Sequence, residues 1–449
     1  MKSVLSAPRL RRIVAAYTVN RLGTWFGVVA LSLAVFDHTH SALAVAGLLV
    51  AAQVLPAFAV PAVVARVEAS RRGDELSALY AFEGVVTIAL AVLVWNFWLP
   101  IILLLVALDG TAALAASALL RTEAARAARE SLPALPVGSS VQDGEEREQA
   151  AEQQVNAAIN LAFSATFVLG PATAGVLVAG AGTAIALFID AASFLICGAL
   201  LLDLRPHVEE AGGATVAERL RAAWTYINEV PALRSLLLIQ GTALVFFESA
   251  GPIEVAYAKA TLHAGDGGYG LLVAMWGVGV VVGGVIFARS GSRSLGTLLS
   301  AGTFAVGAAY IGFALAPTLA VACAAAVLGG IGNGVQWAPV ISALQRLTPP
   351  RLHGRVMGAM ESIGALAPAI GLTLGGGLVA LTSSRVAFLL VGAGAALTTI
   401  GFVRLPVGAT SPPAPALEHA PEPHPEDDGP DPHSVLEDPS LRLRDPSPP

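Results

Sequence analysis

The chain predicts an all-α membrane protein, with twelve transmembrane helices in two pseudo-symmetric six-helix bundles. Three observations carry that prediction. The first is composition: of 449 residues, 55% are hydrophobic and 13% charged, with a mean hydropathy of +0.70, which is about half the charge of an ordinary soluble domain. A soluble fold of this size would have too little polar surface. The second is a series of twelve apolar runs of about 20 residues, enough for a helix rising about 1.5 Å per residue to cross about 30 Å of hydrocarbon. The third is an internal echo. Gly47-Leu48-Leu49-Val50-Ala51, thirteen residues and Ala65-Arg66 return 223 positions later as Gly270-Leu271-Leu272-Val273-Ala274, thirteen residues and Ala288-Arg289. A second echo, Val155-Asn156-Ala157-Ala158 through Gly170 and Gly175, returns at Val356-Met357-Gly358-Ala359 through Gly371 and Gly376, displaced by 201. The polar stretch Arg121 to Gln154, set against the brief Arg346 to Arg355, absorbs the difference between the two offsets, so two homologous halves explain both echoes.

The elements follow in order. A basic N-terminus, 1–12, precedes an apolar run from Ile13 to Phe36 that is too long for a signal-peptide core and is expected to stay as the first span. The next spans are expected at Leu43 to Val64, Leu76 to Trp95, Leu99 to Leu120, Val155 to Ala179 and Thr183 to Leu202, which completes an N-terminal bundle over 13–202 with a cytoplasmic insertion at 121–154. A polar connector, 203–232, carries the amphipathic stretch Val216 to Ile227, expected to lie along the inner surface. Six further runs make the C-terminal bundle over 233–405: Leu233 to Ala256, Gly268 to Ala288, Leu295 to Leu315, Leu319 to Leu344, Val356 to Leu381 and Val386 to Val403. The tail, 406–449, is rich in Pro and holds nine of the 32 acids, so it has little to bury and is expected to be disordered. Without it the formal charge of −6 disappears, leaving 23 acids against 24 bases.

Loop charge sets the expected orientation. With both ends cytoplasmic, twenty-one Lys and Arg fall on the inner side and only Lys259 and Arg385 on the outer, the asymmetry of the positive-inside rule. Trp95 and Trp98 then flank an outer turn at the headgroup level. The expected place is the cell membrane.

Several strings carry a family resemblance. They are Asp190-Ala191-Ala192-Ser193-Phe194, Gly268-Tyr269-Gly270-Leu271-Leu272 with Trp276-Gly277-Val278-Gly279, Gly332-Asn333-Gly334, and Gln345-Arg346-Leu347-Thr348-Pro349 continuing to Gly354-Arg355-Val356-Met357-Gly358. In this order they resemble the major facilitator superfamily of secondary transporters, from Arg12 to Arg404, and its bacterial branch of siderophore, macrolide and multidrug exporters. Gly170-Pro171-Ala172-Thr173-Ala174-Gly175 resembles the helix 5 antiporter signature, with Ala174 in place of a glycine. Small residues allow close helix approach and Pro171 favours a bend, so Gly170, Pro171 and Gly175 suit either a rocking interface or plain close packing. The loop motif between spans 2 and 3 keeps Arg71 and Arg72, but Val67 and Glu68 replace its Asp and Arg. That departure weakens a charge latch there, and the two arginines then serve topology.

Ionisable residues inside a membrane are costly, which marks them as functional candidates. Arg21 and Asp109 fall at equal depth by helix rise. The resemblance places spans 1, 2, 4, 5, 7, 8, 10 and 11 around a central cavity. On that map Arg21, Asp109, Glu248, Glu254, Glu361, Gln53, Asn160, Asn333, Gln336 and Trp337 belong to cavity helices, and Glu83 and Asp190 to peripheral ones. Asp109 and Glu248 are the expected proton-exchanging groups with Arg21 as fixed counter-charge, or Arg21 and Asp109 form a permanent helix-to-helix ion pair. Glu361 and Glu254 also suit structural or headgroup contacts, and Trp337 either walls an apolar cargo or packs.

Other classes of activity find little support. Cys197 and Cys323 lie inside apolar runs, so no disulfide framework or metal motif is expected. Asp37-His38-Thr39-His40 stands in a turn without further ligands. With Lys2 and Lys259 the only lysines, no phosphate-binding loop ending in Gly-Lys exists. The basic residues are scattered over separate loops, unlike a nucleic-acid interface. The expectation is a monomeric proton-coupled exporter of a small amphipathic or hydrophobic molecule that works in the lipid bilayer without cofactor or enzymatic activity. A symporter of the same fold, or a membrane sensor or scaffold, is the alternative.

Overall fold

The structure, a computed structural model, describes residues 7–69, 75–132, 140–202, 226–290, 293–348 and 353–404; for some of these, Glu361 among them, it describes the backbone alone. Arg71, Arg72, the tail and most of Val216 to Ile227 lie outside the described residues.

Twelve helices are long and apolar enough to cross a membrane. They are α1 (Pro8–Thr39), α2 (Ala42–Ala69), α3 (Glu75–Leu93), α4 (Leu99–Glu130), α5 (Val141–Ala181), α6 (Thr183–Leu200), α7 (Pro231–Ala256), α8 (Gly265–Ala288), α9 (Leu295–Leu315), α10 (Leu319–Arg346), α11 (His353–Leu381) and α12 (Ser384–Val403). No strand occurs among the described residues. Helix starts have local causes: Pro8 needs no amide partner in a first turn, and Ser294, Thr318 and Ser383 accept the backbone N–H of Thr297, Val321 and Val386. The ends joined by 40–41, 94–98, 182, 262–264, 316–318 and 382–383 form one face of the molecule, here the turn face. The other helix ends form the terminal face.

On the terminal face the helices outrun their predicted spans. α4 continues to Glu130 and α5 begins at Val141, so most of the expected insertion at 121–154 is helix. Hydropathy misses these extensions because they are polar, yet Ala124, Ala127 and Ala128 favour helix and pack on Leu10 and Ile13 of α1. Charge reinforces the join. Glu123, 1% exposed, pairs with Arg9 of α1 and with Arg126 one turn along, and Arg9 reaches Glu130 at 2.7 Å.

The apolar core divides in a way that positions the site. One cluster near the turn face joins both halves, from Val29, Phe36, Val45 and Ala174 to Ile253, Tyr257, Leu272 and Phe388. Toward the terminal face there are two clusters, each confined to one half: Leu10, Leu119, Ile159 and Cys197 in the first, Leu236, Leu299, Leu344 and Met360 in the second. The halves share a core at the turn face and part beyond it.

The echoes in sequence correspond to the same contact made twice. On α5, a Cβ at Gly175 would lie 2.8 Å from the Cα of Gly270 on α8 and 3.1 Å from the carbonyl of Asp266. The repeat offsets map Gly175 onto Gly376 and Gly270 with Asp266 onto Gly47 with Leu43. A Cβ at Gly376 would meet the Cα of Leu43 at 2.9 Å and Ala46 at 2.8 Å. Each crossing brings backbones together near the turn face, where absent side chains permit it.

Candidate functional site: buried charges between the parted halves

The closed turn face ends in a charge cluster. α7 gives way to a π-helical turn, Tyr257–Thr261, five residues after Pro252 interrupts its hydrogen bonding. That turn carries Lys259, whose Nζ lies 2.8 Å from Asp37 of α1 and also contacts Asp266 at the start of α8. The Asp37 pair crosses from one half to the other. Its neighbour His38 stacks on Phe97 with ring centroids 4.3 Å apart.

Below this end, the helix faces that meet at the turn face become exposed. The α5–α8 contact runs from Gly175 and Gly270 to Phe167 and Gly277. One or two turns further on, Asn160, Phe163 and Val281 are exposed. On α2, which contacts Gly376 through Ala42, Leu43 and Ala46, Gln53 is exposed. Four aromatic or cationic groups line α1 and α5 here. Arg21 lies over the Phe163 ring at 5.2 Å, Phe163 is 5.8 Å from Phe167, and Phe167 meets Trp25 edge-on at 5.2 Å. The spacing of four from Arg21 to Trp25 and from Phe163 to Phe167, one helical turn in each case, was the sequence signal for this ladder. Gly170 leaves room for the Trp25 side chain.

Glu248 stands on α7, partly buried, with its Cβ 2.8 Å from where a Cβ on Gly371 of α11 would be. Its carboxylate has no hydrogen-bond or ion-pair partner among the described residues, and its oxygens are not sealed from solvent. Glu254, two turns nearer the turn face, is also partly buried and lies close to Tyr269 and Tyr310. Both stand beside an aromatic group in which Trp276 stacks on Tyr310 at 5.7 Å.

This fold of two six-helix halves has known counterparts. The nucleoside transporter NupG superposes with a TM-score of 0.67 at 12% identity, covering 89% of this chain and 99% of that one. A bacterial homologue of the human lysosomal transporter Spinster, in its inward-facing and unoccupied conformation, superposes with a TM-score of 0.63 at 13% identity, covering 88% and 95%. The profile described as Major Facilitator Superfamily matches residues 236–439. The C-terminal half matches the major facilitator superfamily in sequence, and the chain has the fold of that superfamily. The multidrug efflux pump Tap of Mycolicibacterium fortuitum is 25% identical over 258 residues, 52% of this chain and 58% of that protein. The uncharacterized MFS-type transporter YjbB of Bacillus subtilis is 28% identical over 223 residues, 47% and 52%. The chain thus spans less than two thirds of the length of these relatives.

Within the superfamily fold, several expected site residues are placed differently from the sequence reading. Arg21 does not pair with Asp109. Gly23 and Gly27 turn that side of α1 toward Asp190 and Ser193 of α6, and Arg21, about 200° round the helix from Gly23, faces α5 instead. Asp109 lies near Thr87, Glu83 and Asp190, among α3, α4 and α6. Gln336 is 8% exposed and donates to Thr303 at 2.8 Å and to Gln240 at 3.3 Å, so it staples α10 to α9 and α7 rather than facing a cavity. Asn333 is partly buried, Trp337 is 53% exposed one turn beyond Gly334 on the row that meets α8, and Glu361 stands on α11. Replacing Gln336 with Leu strands a buried amide on Gln240, at a cost of about 1 kcal/mol. The expected result is a lower thermal unfolding midpoint with cargo affinity unchanged; an affinity loss at unchanged stability would return Gln336 to the cavity.

Proposed function

We propose that this protein is a secondary active transporter that exports a small amphipathic or hydrophobic molecule in exchange for protons by alternating access. The observation that carries this reading is Glu248: a carboxyl group without a partner among the described residues, partly buried, beside the level at which the two halves part. A carboxylate held this way is unstable in hydrocarbon and gains a proton when its access to water closes. Rocking the halves would exchange that access from one face to the other. The twenty-one to two distribution of basic residues supports a cytoplasmic terminal face, so the parted state faces the cytoplasm. Arg21 over Phe163, with Phe167 and Trp25 below, offers a cargo both an aromatic wall and a positive charge.

Export as the direction rests on the likeness to the multidrug efflux pump Tap and on the partial antiporter string Gly170 to Gly175. Everted vesicles test it. Cargo loading that collapses with the pH gradient, and falls at least about tenfold in Glu248→Gln with the protein still folded, is the expected result. Uptake seen only in right-side-out vesicles would make the protein an importer, and undiminished flux in Glu248→Gln would remove the carboxylate from coupling.

A further inference from the structure

The first bundle holds three carboxyl groups that Glu248 and the parted faces leave unexplained. Glu83 on α3 is 0% exposed and Asp190 on α6 is 4% exposed, while Asp109 on α4 is only partly buried. Both oxygens of Glu83, one of Asp109 and one of Asp190 are buried without a hydrogen-bond partner. Glu83 feels the charge of both others, and Asp190 that of Asp109, so the three form one electrostatic group.

No cation among the described residues pairs with them. The nearest arginine on α1, Arg21, is turned to Phe163, and α2 and α5 carry no ionisable residue in their membrane-level segments, 42–60 and 155–181. The remaining titratable neighbours are Tyr80 beside Glu83, Tyr17 on α1, and Cys197, whose thiol donates to the Ala16 carbonyl. None supplies positive charge. The described residues also contain no group of three or more ligands arranged to hold a metal ion. Three ionised carboxylates cannot share a dry space, because each loses its hydration and repels the others. Binding a proton neutralises a carboxylate, forming an O–H bond with no electron transferred, and turns it into a donor that can satisfy a neighbouring oxygen.

We propose that Glu83, Asp109 and Asp190 form a proton-binding site inside the first bundle, loaded and unloaded through Asp109. Asp109 is the least buried of the three and so the point of entry; Glu83 and Asp190 store the charge behind it. The site is wired to helix movement through Asp190, whose carboxylate lies directly against the α1 backbone where Gly23 and Gly27 have no side chains. A shift of α1 against α6 changes how dry that carboxylate is. The role in transport rests on the proton-coupled reading above, but the site itself does not.

The test is an infrared pH titration of the carboxyl carbonyl signal of the purified full-length protein in lipid vesicles, without cargo. The isosteric variants Glu83→Gln and Asp190→Asn are each expected to remove about a third of the cluster's titrating amplitude, Asp109→Asn to move the midpoint of what remains, and Glu248→Gln to remove a separate component. A signal that does not titrate, or that Glu83→Gln and Asp190→Asn leave unchanged, overturns the site. Circular dichroism checks folding; where a buried variant fails to fold, Asp109→Asn decides, since an unmoved midpoint also overturns the site. An intact infrared response with flux that ignores the pH gradient would instead sink the coupled-transport reading.

Discussion

Lys259→Met is expected to open the turn face. Its ammonium, 19% exposed, lies between Asp37 of α1 and Asp266 of α8, so the methionine removes an attraction and leaves two carboxylates facing each other across the junction of the halves. Asp37 is 42% exposed, and screening keeps such a pair to about 1 kcal/mol or less, with carboxylate repulsion adding a similar amount. Together these amount to about a tenfold change in the ratio of closed to open turn face. Ala46, 1% exposed and packed against Gly376, is a suitable reporter. In Ala46→Cys protein, maleimide labelling should rise about tenfold with Lys259→Met and stay near baseline with Lys259→Arg. Equal labelling in all three backgrounds would mean the cluster does not hold the face shut.

Gly175→Leu is expected to abolish transport while leaving helix content intact. Its first side-chain atom would stand 2.8 Å from the Cα of Gly270, a distance that backbone can relieve only by separating α5 from α8. Overpacking of this kind costs about 1–3 kcal/mol, and here it falls on the closed turn face, lowering its population by about 5-fold to 150-fold. Gly376→Leu should do the same at the symmetry-related crossing with α2, since Leu43 and Ala46 already fill that space. Gly180→Ala, with nothing within 4 Å of its added Cβ, serves as the control. Flux in everted vesicles and labelling at Ala46→Cys report both effects; full flux in Gly175→Leu would show that the crossing can loosen without consequence.

Both predictions start from residues that stand out in the sequence, though with different clarity. Two repeat offsets tie Gly175 to Gly376 and Gly270 to Gly47, so a duplication was readable before any coordinates, but which helices cross was not. Lys259 was readable only as one of two basic residues on the expected outer side; its partners were not. Asp37 was seen inside a histidine-bearing turn, and nothing local links it to a lysine more than two hundred positions away. Likewise Glu83 and Asp190 were assigned to outer helices, and nothing local shows that Glu83 stands near Asp109 of α4 or that Asp190 lies against α1.

The helix count and the two related halves follow from the order of residues alone, because hydrocarbon thickness and the rise of a helix fix how long an apolar run must be to cross. Which charges meet was settled by packing. Arg21 and Asp109 look paired when depth alone is counted, yet they do not meet: a rotation of about 100° per residue, together with the neighbours that Gly23 and Gly27 admit, sends one toward Phe163 and the other toward Glu83.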